Sequence, residues 1–400
     1  MAKNSEYYIQ LEDELGANNY HPLDIVIERA EGIWVWDVGD NKYMDCLSAY
    51  SAVNQGHCHK RLVSVMQKQC EKLTLTSRAF RNNLLGDFYK SVADITKKNM
   101  ILPMNTGAEA VESAIKAARK WGYKVKGIEK DKAEIIVFAD NFHGRTTTIV
   151  GFSTEEQYKD GFGPFTPGFK VIPFGDIKAL EETINENTCA FLFEPIQGEA
   201  GINIPVDGFI EKARELCTKN NVLMIADEIQ TGLGRTGKWF ACDHFGIVPD
   251  MYIMGKALAG GFYPVSAVAA DKEILGVFNP GDHGSTFGGN PLGAVVAIEA
   301  LAILKEEKLV ENSANIGNYF MDKLNAMDLP IVKEIRGKGL LVGLELDRKA
   351  RPYCEALMKK GLLCKETHEN VMRFAPPLTI SLHEVDWALE RIEEVLKEKF

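Results

Sequence analysis

The chain has 400 residues, of which 46% are hydrophobic, and its formal net charge is −10. This size permits a large core divided over two domains, and the negative charge argues against a nucleic-acid surface and suits an enzyme of small metabolites. No apolar run approaches the roughly 18 residues of a membrane span, and the polar N-terminal residues resemble neither a signal nor a transit peptide. The eight cysteines are scattered without a C-x-x-C pair, so we expect free thiols and a cytoplasmic protein.

Helical and extended patterns alternate along most of the chain. Residues 33–38 and 42–47 predict a small hairpin around a Gly-Asp-Asn turn. From about residue 108 to 270, short apolar runs alternate with helical patterns, which is typical of a parallel sheet. The predicted strands lie at residues 135–138, 170–173, 190–193, 222–226, 251–254 and 265–269. Asn290 followed by Pro291 predicts the start of a long helix, with the asparagine as its N-cap.

After Glu307 the pattern changes to helix, short strands and further helices, which predicts a second, smaller α+β domain. The fold class is therefore α/β, with a large domain whose mostly parallel sheet is flanked by helices. We expect residues 48–305 to form the large domain and residues 306–400 the C-terminal small domain. Residues 1–47 are expected to be an N-terminal segment that joins the small domain.

Three charged residues each follow a predicted buried strand at the spacing of βαβ units. They are Glu194, Asp227 and Lys256, which follows Gly255. Ligands of open α/β sheets bind at the carboxyl ends of the strands, so the three side chains are expected in one crevice. One charge at a strand end more simply marks where the strand meets water, but three at this spacing favour a site. A lysine beside a carboxylate indicates Schiff-base chemistry with a cofactor whose ring nitrogen needs a counter-charge.

Two segments are candidates for binding a phosphate. Gly107 and Ala108 open a helix of small residues, and the free N–H groups of a helix N-terminus bind anions. Helix capping alone also explains a start at Thr106-Gly107. Ser285 and Thr286 precede the next long helix in a stretch rich in glycine, where an ordinary loop is equally consistent with the sequence.

Two further patterns do not predict a site. Residues 232–237 match G-x-G-x-x-G, but they do not directly follow a strand and no helix of small residues follows them. A nicotinamide cofactor is therefore not predicted. Residues 57–59, His-Cys-His, are too short a cluster for a metal site and no H-E-x-x-H is present, so no metal is expected.

Six segments, in order, resemble the motifs of the class III pyridoxal-phosphate aminotransferases. They are Asn105-Thr106-Gly107, Phe142-His143-Gly144-Arg145, Glu194-Pro195-Ile196-Gln197-Gly198-Glu199, and residues 225–232, 255–261 and 285–291. The resemblance extends from about residue 20 to 395. It implies a fold type I aminotransferase, with pyridoxal 5′-phosphate in the large domain and a small domain built from both chain ends. It also implies a homodimer whose sites lie at the interface.

The resemblance also implies roles for single residues. Lys256 would bind the cofactor covalently and carry a proton, and Asp227 would pair with the protonated ring nitrogen. Phe142 would stack on the ring, although core packing is the simpler explanation for a lone phenylalanine, and Gln230 would contact the phenolic oxygen. The other expected cofactor contacts are the amides of Gly107 and Ala108, Glu194, Ser285, and Thr286 reaching in from the second subunit.

Within the class, residues 19–22, 48–57 and 372–377 resemble the members that act on the δ-amino group of ornithine. The resemblance implies that Arg145 binds the α-carboxylate of ornithine. It further implies that Tyr20 and Tyr50 line the outer pocket at the α-amino end.

Arg373 would bind the α-carboxylate of 2-oxoglutarate in the second half-reaction, and Glu199 would cover Arg373 while ornithine is bound. The alternative for these two residues is a structural ion pair. Among substrates, N-acetylornithine, 4-aminobutyrate and lysine remain alternatives, and a catalytically silent binding homologue is a further one.

Overall fold

The structure is a computed structural model that describes residues 4–398. The first three and last two residues of the chain, which belong to the predicted outer segments 1–47 and 306–400, lie outside the described residues. In chain order the strands are β1 Ile27–Glu31, β2 Trp34–Asp37, β3 Lys42–Asp45, β4 Met100–Met104, β5 Glu134–Phe138, β6 Phe169–Ile172, β7 Thr188–Phe193, β8 Leu223–Asp227, β9 Met251–Met254, β10 Ser266–Ala270, β11 Val332–Lys338, β12 Leu341–Leu346, β13 Leu362–Leu363, β14 Lys365–Thr367 and β15 Val371–Phe374.

Helices cover most of the remaining regular structure. They are α1 Ser5–Leu15, α2 Ser48–Ser51, α3 Lys60–Cys70, α4 Leu85–Thr96, α5 Gly107–Trp121, α6 Thr147–Gly151, α7 Ile177–Thr183, α8 Phe209–Lys219, α9 Lys272–Leu275, α10 Pro291–Glu306, α11 Leu309–Asn325, α12 Arg351–Lys359 and α13 Leu382–Leu396. Short 3₁₀ turns lie at Glu156–Tyr158, Ala241–Phe245 and Lys256–Ala259, and a π-helical turn lies at Gly122–Lys126. No helix within residues 4–398 is long and apolar enough to cross a membrane.

A seven-stranded sheet in the order β4-β10-β9-β8-β7-β5-β6 forms the centre of the large domain. Strands β6, β5, β7, β8 and β9 pair in parallel, whereas β10 is antiparallel to both of its neighbours. Every residue of β7 and β8 is buried, because cores cover both faces of the sheet. Alternate side chains of β7 show this: Phe191 and Phe193 belong to one core, and Ala190 and Leu192 belong to the other.

Residues from both ends of the chain form the smaller sheets. The antiparallel sheet β11-β12-β15-β14 belongs to the C-terminal part, and a second sheet has the order β1-β2-β3-β13. In that second sheet, β3 near the N-terminus pairs in parallel with β13, with Met44 opposite Leu362. The predicted fold class, a large α/β domain with a smaller α+β domain from both chain ends, is therefore confirmed. The exact domain boundaries stay a prediction.

Local signals place several element ends close to where the sequence predicts them. The Asn290 side chain accepts a hydrogen bond from the Gly293 amide at 2.8 Å, so it is the N-cap of α10. Strand β9 has the predicted bounds, whereas β8 and β10 are each shifted by one residue. Residues 232–237 form turns rather than the start of a helix, which agrees with rejecting a dinucleotide fingerprint there.

Candidate active site

A cavity opens at the carboxyl ends of β7, β8 and β9. It encloses about 620 Å³, part of which is open to solvent. Its lining residues come from the strand ends, the start of α5 and the loop after β5: Gly107, Ala108, Phe142, His143, Gly144, Glu194, Glu199, Asp227, Ile229, Gln230, Thr231 and Lys256. The three strand-end charges predicted to share one crevice therefore do share it.

Asp227, the last residue of β8, is fixed by two hydrogen bonds. Its Oδ2 lies 2.7 Å from Nδ1 of His143, and its Oδ1 accepts from the Ile229 amide at 3.1 Å. Both side chains of the Asp227–His143 pair are buried. Burial acts to lower the pKa of His143, but the hydrogen bond and charge of Asp227 outweigh it, so the pKa is raised. The two hydrogen bonds therefore fix the Asp227 carboxylate in one orientation at the end of β8.

Lys256 follows β9 and begins a 3₁₀ turn. Its φ of 45° lies in the left-handed region, a conformation that costs a non-glycine residue roughly 1–2 kcal/mol. Burial lowers the pKa of Lys256, although Glu199 and Asp227 act in the opposite direction. The lysine amine is therefore easier to deprotonate than an exposed one, as a base or nucleophile requires.

The N-terminus of α5 forms one end of the cavity. Thr106 and Glu109 make a capping box there, which leaves the amides of Gly107 and Ala108 without an acceptor in the part of the chain that the structure describes. A Cβ at Gly107 would lie 3.0 Å from Cδ1 of Ile229, so the backbone is closely packed against the cavity wall. Two free amides at a helix N-terminus are suited to an anion such as a phosphate.

The two predicted hydroxyls of the 285–291 segment lie outside the residues that line the cavity. The Oγ of Ser285 accepts hydrogen bonds from the Asn105 side chain and the Gly288 amide, each at 2.9 Å, just before α5 begins. Thr286 is exposed. Its predicted contact is with the cofactor of a second subunit, so its exposure here leaves that prediction open.

Three further predicted residues line the main cavity: Phe142, Glu194 and Gln230. Glu194 accepts a hydrogen bond from the Phe142 amide at 3.0 Å, and burial raises its pKa to about 7. Gln230 donates to Glu199 at 2.9 Å, whereas its Oε1 is buried without a partner among the described residues. This Oε1 lies against the backbone of Gly198, where a Cβ would be 1.6 Å from it, so the glycine leaves room for the Gln230 side chain.

Glu199 and Arg373 form an ion pair at the wall. Arg373 in β15 is 2% exposed, and its Nη1 lies 2.6 Å from Oε1 of Glu199. Burial acts to raise the pKa of Glu199, but the charges of Arg373 and Lys256 outweigh it and lower the pKa to about 2. The ring of Tyr50 lies 5.0 Å from the guanidinium carbon of Arg373, so Tyr50 covers the arginine.

Tyr50 lies in a single turn of left-handed helix. Residues 48–51 all have φ between 48° and 70°, although none is glycine. The turn is closed by the Ala52 amide, which donates to the Ser48 carbonyl at 2.8 Å. Tyr20 is 72% exposed, and its phenol is close enough to contribute to the raised pKa of Tyr50, which burial mainly causes. Of the two predicted outer-pocket tyrosines, Tyr50 lies against Arg373 and Tyr20 lies at the surface.

Arg145 lies outside the main cavity, at its outer side. The side chain is exposed, and its guanidinium carbon lies 3.6 Å from the ring centroid of Tyr158 and 5.5 Å from that of Phe142. A second cavity of about 320 Å³ adjoins the first, because Phe142 and Glu199 line both. Tyr158 lines this outer cavity as well.

Sequence reasoning missed two of these contacts. His143 belongs to a quoted motif, but its partner Asp227 lies 84 residues away, and only the sheet order makes them neighbours. Tyr158 belongs to no motif, and its position beside Arg145 follows from the path of the loop after α6. Within residues 4–398, no cluster of His, Cys, Asp or Glu could hold a metal ion.

This arrangement of a lysine, a fixed carboxylate and an anion-binding helix end on an α/β sheet defines a class of enzyme. A family model for the class III aminotransferases matches residues 15–396, and the chain belongs to that family. It is thus an aminotransferase that depends on pyridoxal 5′-phosphate, which confirms the class and the cofactor that the sequence motifs imply.

Individual members of the family and their solved structures are similar to this chain over nearly its whole length. The chain is 60% identical to the ornithine aminotransferase of Geobacillus sp. (strain WCH70) over 395 residues, which are 99% of each chain. The crystal structure of the ornithine aminotransferase from Toxoplasma gondii ME49 matches with a TM-score of 0.97 at 44% identity, covering 98% of this chain and 95% of that one. The acetylornithine aminotransferase from Elizabethkingia anophelis matches with a TM-score of 0.90 at 47% identity, covering 98% and 99%.

Proposed function

We propose that this enzyme moves the δ-amino group of L-ornithine to 2-oxoglutarate, which gives glutamate semialdehyde and glutamate. The observation that carries the proposal is the Glu199–Arg373 ion pair beside Lys256. A δ-amine has no carboxylate next to it and suits an arginine that is covered, whereas a 2-oxo dicarboxylate needs that arginine free. The relatives called ornithine aminotransferases support the same assignment.

Pyridoxal 5′-phosphate fits the residues of the main cavity. The free amides of Gly107 and Ala108 would hold its phosphate, and Asp227 would pair with its ring nitrogen. Gln230, which lines the cavity, would hydrogen-bond its phenolic oxygen, and Phe142 would cover its face. When bound, the cofactor supplies an aldehyde that takes up amino groups covalently and a ring that withdraws electrons.

The protein's own part in the reaction is to hold and move protons. Lys256, whose pKa burial lowers, would accept the proton from the substrate carbon that bears the reacting amine. Asp227 would keep a positive charge on the ring nitrogen, and His143 would hold that carboxylate in place through the 2.7 Å contact.

Ornithine would be oriented by its distal end. The exposed guanidinium of Arg145 is free to take the α-carboxylate as a bidentate partner. Tyr20 and Tyr50 would lie at the α-amino end, which leaves the δ-amine directed towards Lys256. With its α-carboxylate on Arg145, ornithine would react at the δ-amine, which is far from that carboxylate. Arg373 would take no part in binding ornithine.

Competition between carboxylates would open the ion pair in the second half-reaction. With a pKa of about 2, Glu199 stays ionised at any physiological pH, so protonation does not release Arg373. The α-carboxylate of 2-oxoglutarate would displace Glu199 by making the better charge-assisted bond to Arg373. The pair thereby allows two substrates of different charge to use one cavity.

A panel of amino donors with 2-oxoglutarate as acceptor tests the proposal. Ornithine should give the highest kcat/KM, and its product should cyclise spontaneously to pyrroline-5-carboxylate, which NMR detects. Pyrroline-2-carboxylate in its place, the cyclic product that forms when the α-amine is transferred, would contradict the proposal. A protein that binds the cofactor but transfers no amine would be a silent homologue.

N-acetylornithine is the second candidate substrate, because the acetylornithine aminotransferase of Elizabethkingia anophelis is 47% identical to this chain. N-acetylation removes the α-ammonium charge and leaves the α-carboxylate for Arg145. The same panel separates the two: a kcat/KM for N-acetylornithine above that for ornithine would reverse the assignment. Lysine and 4-aminobutyrate complete the panel.

We further propose that two copies of the chain form a homodimer in which the partner's Thr286 completes the phosphate site. Thr286 is exposed in a single chain and does not line that chain's cavity. The product would connect the enzyme to proline and arginine metabolism. The eight cysteines are free, which is consistent with a cytoplasmic protein.

A further inference from the structure

The guanidinium of Arg145 lies on the face of the Tyr158 ring. Its Cζ is 3.6 Å from the ring centroid, which is within the distance of a cation–π contact. No hydrogen bond or ion pair to any residue from 4 to 398 fixes this guanidinium, so the aromatic ring is its main support.

Tyr158 is itself held in place. It ends the 3₁₀ turn Glu156–Tyr158, and its amide donates to the Glu155 carbonyl at 3.1 Å. Its ring is half-buried and meets the ring of Phe142 edge-on, with the centroids 6.3 Å apart and the planes at 82°. Phe142 in turn lines the main cavity. The contacts therefore run from the cavity wall to Tyr158 and from Tyr158 to Arg145.

A guanidinium stacked on a ring keeps its hydrogen-bonding capacity. The contact is made by the delocalised charge of the ion and uses none of its five N–H donors, which lie in its plane. An exposed arginine has about 2 kcal/mol of rotamer entropy to lose when it binds a carboxylate. A ring that already restricts the arginine side chain reduces this entropy loss. It also orients the pair of N–H donors that binds a carboxylate.

We propose that Tyr158 is a specificity-determining positioning residue that presents Arg145 to a substrate carboxylate remote from the reacting amine. This inference rests on the proposed function, in which Arg145 takes the α-carboxylate of ornithine. Tyr158 acts only through Arg145 and touches neither the cofactor nor the reacting atoms. It therefore affects substrates through a distal carboxylate and leaves an amino donor without one unaffected.

The test compares Tyr158→Leu with the matched control Tyr158→Phe, which keeps the ring. The amino donors are ornithine and 1,4-diaminobutane, which has the same carbon chain and amine but no carboxylate. In Tyr158→Leu, kcat/KM for ornithine should fall about 3- to 30-fold, mainly through KM. The value for 1,4-diaminobutane should not change, and Tyr158→Phe should match the wild type.

Two results separate the failure of this inference from the failure of the proposed function. If the wild type does not prefer ornithine over 1,4-diaminobutane, Arg145 does not bind a carboxylate and both ideas fail. If the wild type prefers ornithine and Tyr158→Leu preserves that preference, the inference about Tyr158 fails and the proposed function stands. Equal losses for both donors would show a merely structural effect and would also overturn the inference.

A double-mutant cycle provides a second readout. In an Arg145→Ala background, Tyr158→Leu should cause no further loss with ornithine, because the residue through which Tyr158 acts is gone. A loss as large as in the wild-type background would contradict the inference. Tyr158→Gln is a polar alternative at this half-buried position if the leucine variant does not fold.

Discussion

Single residues of the site have properties that the fold sets before any ligand binds. Asp227 is fixed by a 2.7 Å contact with the buried His143, and Lys256 is held in a left-handed conformation with a lowered pKa. The conformation and burial of Lys256 cost free energy in the folded protein, which is typical of functional sites where strain and burial prepare groups for reaction.

The first prediction concerns Lys256. Lys256→Ala should retain the cofactor without a covalent bond and lose turnover by about 10²–10⁴-fold or more, because the base is removed. Borohydride reduction followed by mass spectrometry should add the cofactor mass to the wild type and not to the variant. Near-normal turnover, or a cofactor mass on another residue of the variant, would contradict the assignment.

The second prediction concerns the pH dependence of the His143–Asp227 pair in the apoprotein. The folded-state pKa of His143 is raised above its ordinary value of 6.5, so the folded protein binds this proton more tightly than the unfolded chain. The stabilisation is therefore fully present below about pH 6.5 and is lost as the pH rises through the folded-state pKa.

His143→Asn provides the measurement. The wild type should exceed the variant in unfolding free energy by more at pH 6 than at pH 9, in denaturant titrations of cofactor-free protein. His244→Asn, which replaces a histidine that bonds a backbone carbonyl instead of a carboxylate, is the control. A difference between wild type and His143→Asn that is constant or grows with pH would show that His143 is neutral in the fold.

The sequence predicts the strand-end residues of the site but not their neighbours. Glu194, Asp227 and Lys256 could be placed together because parallel strands present their carboxyl ends at one edge. His143 and Tyr158 could not, because the partner of His143 depends on the sheet order and that of Tyr158 on the path of a loop, neither of which a periodic pattern describes.

At the scale of elements, the turn at residues 48–51 departs most from ordinary backbone geometry. Left-handed conformation costs each L-residue roughly 1–2 kcal/mol, and four consecutive residues adopt it here. The turn carries Tyr50 over Arg373, so this strained element serves the site. No sequence signal predicts it, because Ser-Ala-Tyr-Ser lacks the glycine or asparagine typical of that conformation.

The third prediction tests this strain with glycine. Ala49→Gly should stabilise the protein by about 0.5–1 kcal/mol, because glycine adopts a φ of 48° without the penalty of a Cβ. Ala52→Gly is the matched control, because Ala52 has right-handed geometry with φ −88° and should lose about as much. Thermal unfolding of both variants should shift in opposite directions, and shifts of the same sign would contradict the left-handed turn.

The strands of the large domain are predictable to within one or two residues, whereas their order is not. The apolar runs at β5, β7, β8 and β9 are long enough to identify buried strands. The antiparallel insertion of β10 between β9 and β4 depends on which edges remain open after the parallel strands have paired. The pairing of β10 therefore depends on the other strands of the sheet, and no local sequence pattern indicates it.

At the scale of the whole molecule, the site joins the two parts of the chain. Glu199 lies shortly after β7 of the large sheet, whereas Arg373 lies in β15 of a smaller sheet, 174 residues later. The ion pair therefore forms only when both parts have folded and packed together. Sequence alone could name the two residues through family resemblance, but their 2.6 Å contact is a product of the complete fold.

The fourth prediction concerns the proposed homodimer. Lys256→Ala and Thr286→Ala chains should each form defective homodimers, the first without the covalent bond and the second with weakened cofactor retention. A mixed dimer should regain one intact site, made of Lys256 from one subunit and the partner subunit's Thr286. Cofactor retention and turnover after mixing should rise above the mean of the parents, and no rise would contradict a shared site.

The central claim is that Glu199 covers Arg373 for one substrate and uncovers it for the other, and single-turnover kinetics of Glu199→Gln test it most directly. The change removes the charge and keeps the size of the side chain. The glutamate half-reaction should accelerate relative to the ornithine half-reaction by about 5- to 150-fold, the equivalent of about 1–3 kcal/mol for a charge-assisted hydrogen bond. Ornithine should also begin to react at its α-amine, whereas Arg145→Ala should instead slow the ornithine half-reaction. A glutamate-to-ornithine rate ratio equal to that of the wild type would show that the pair is only structural.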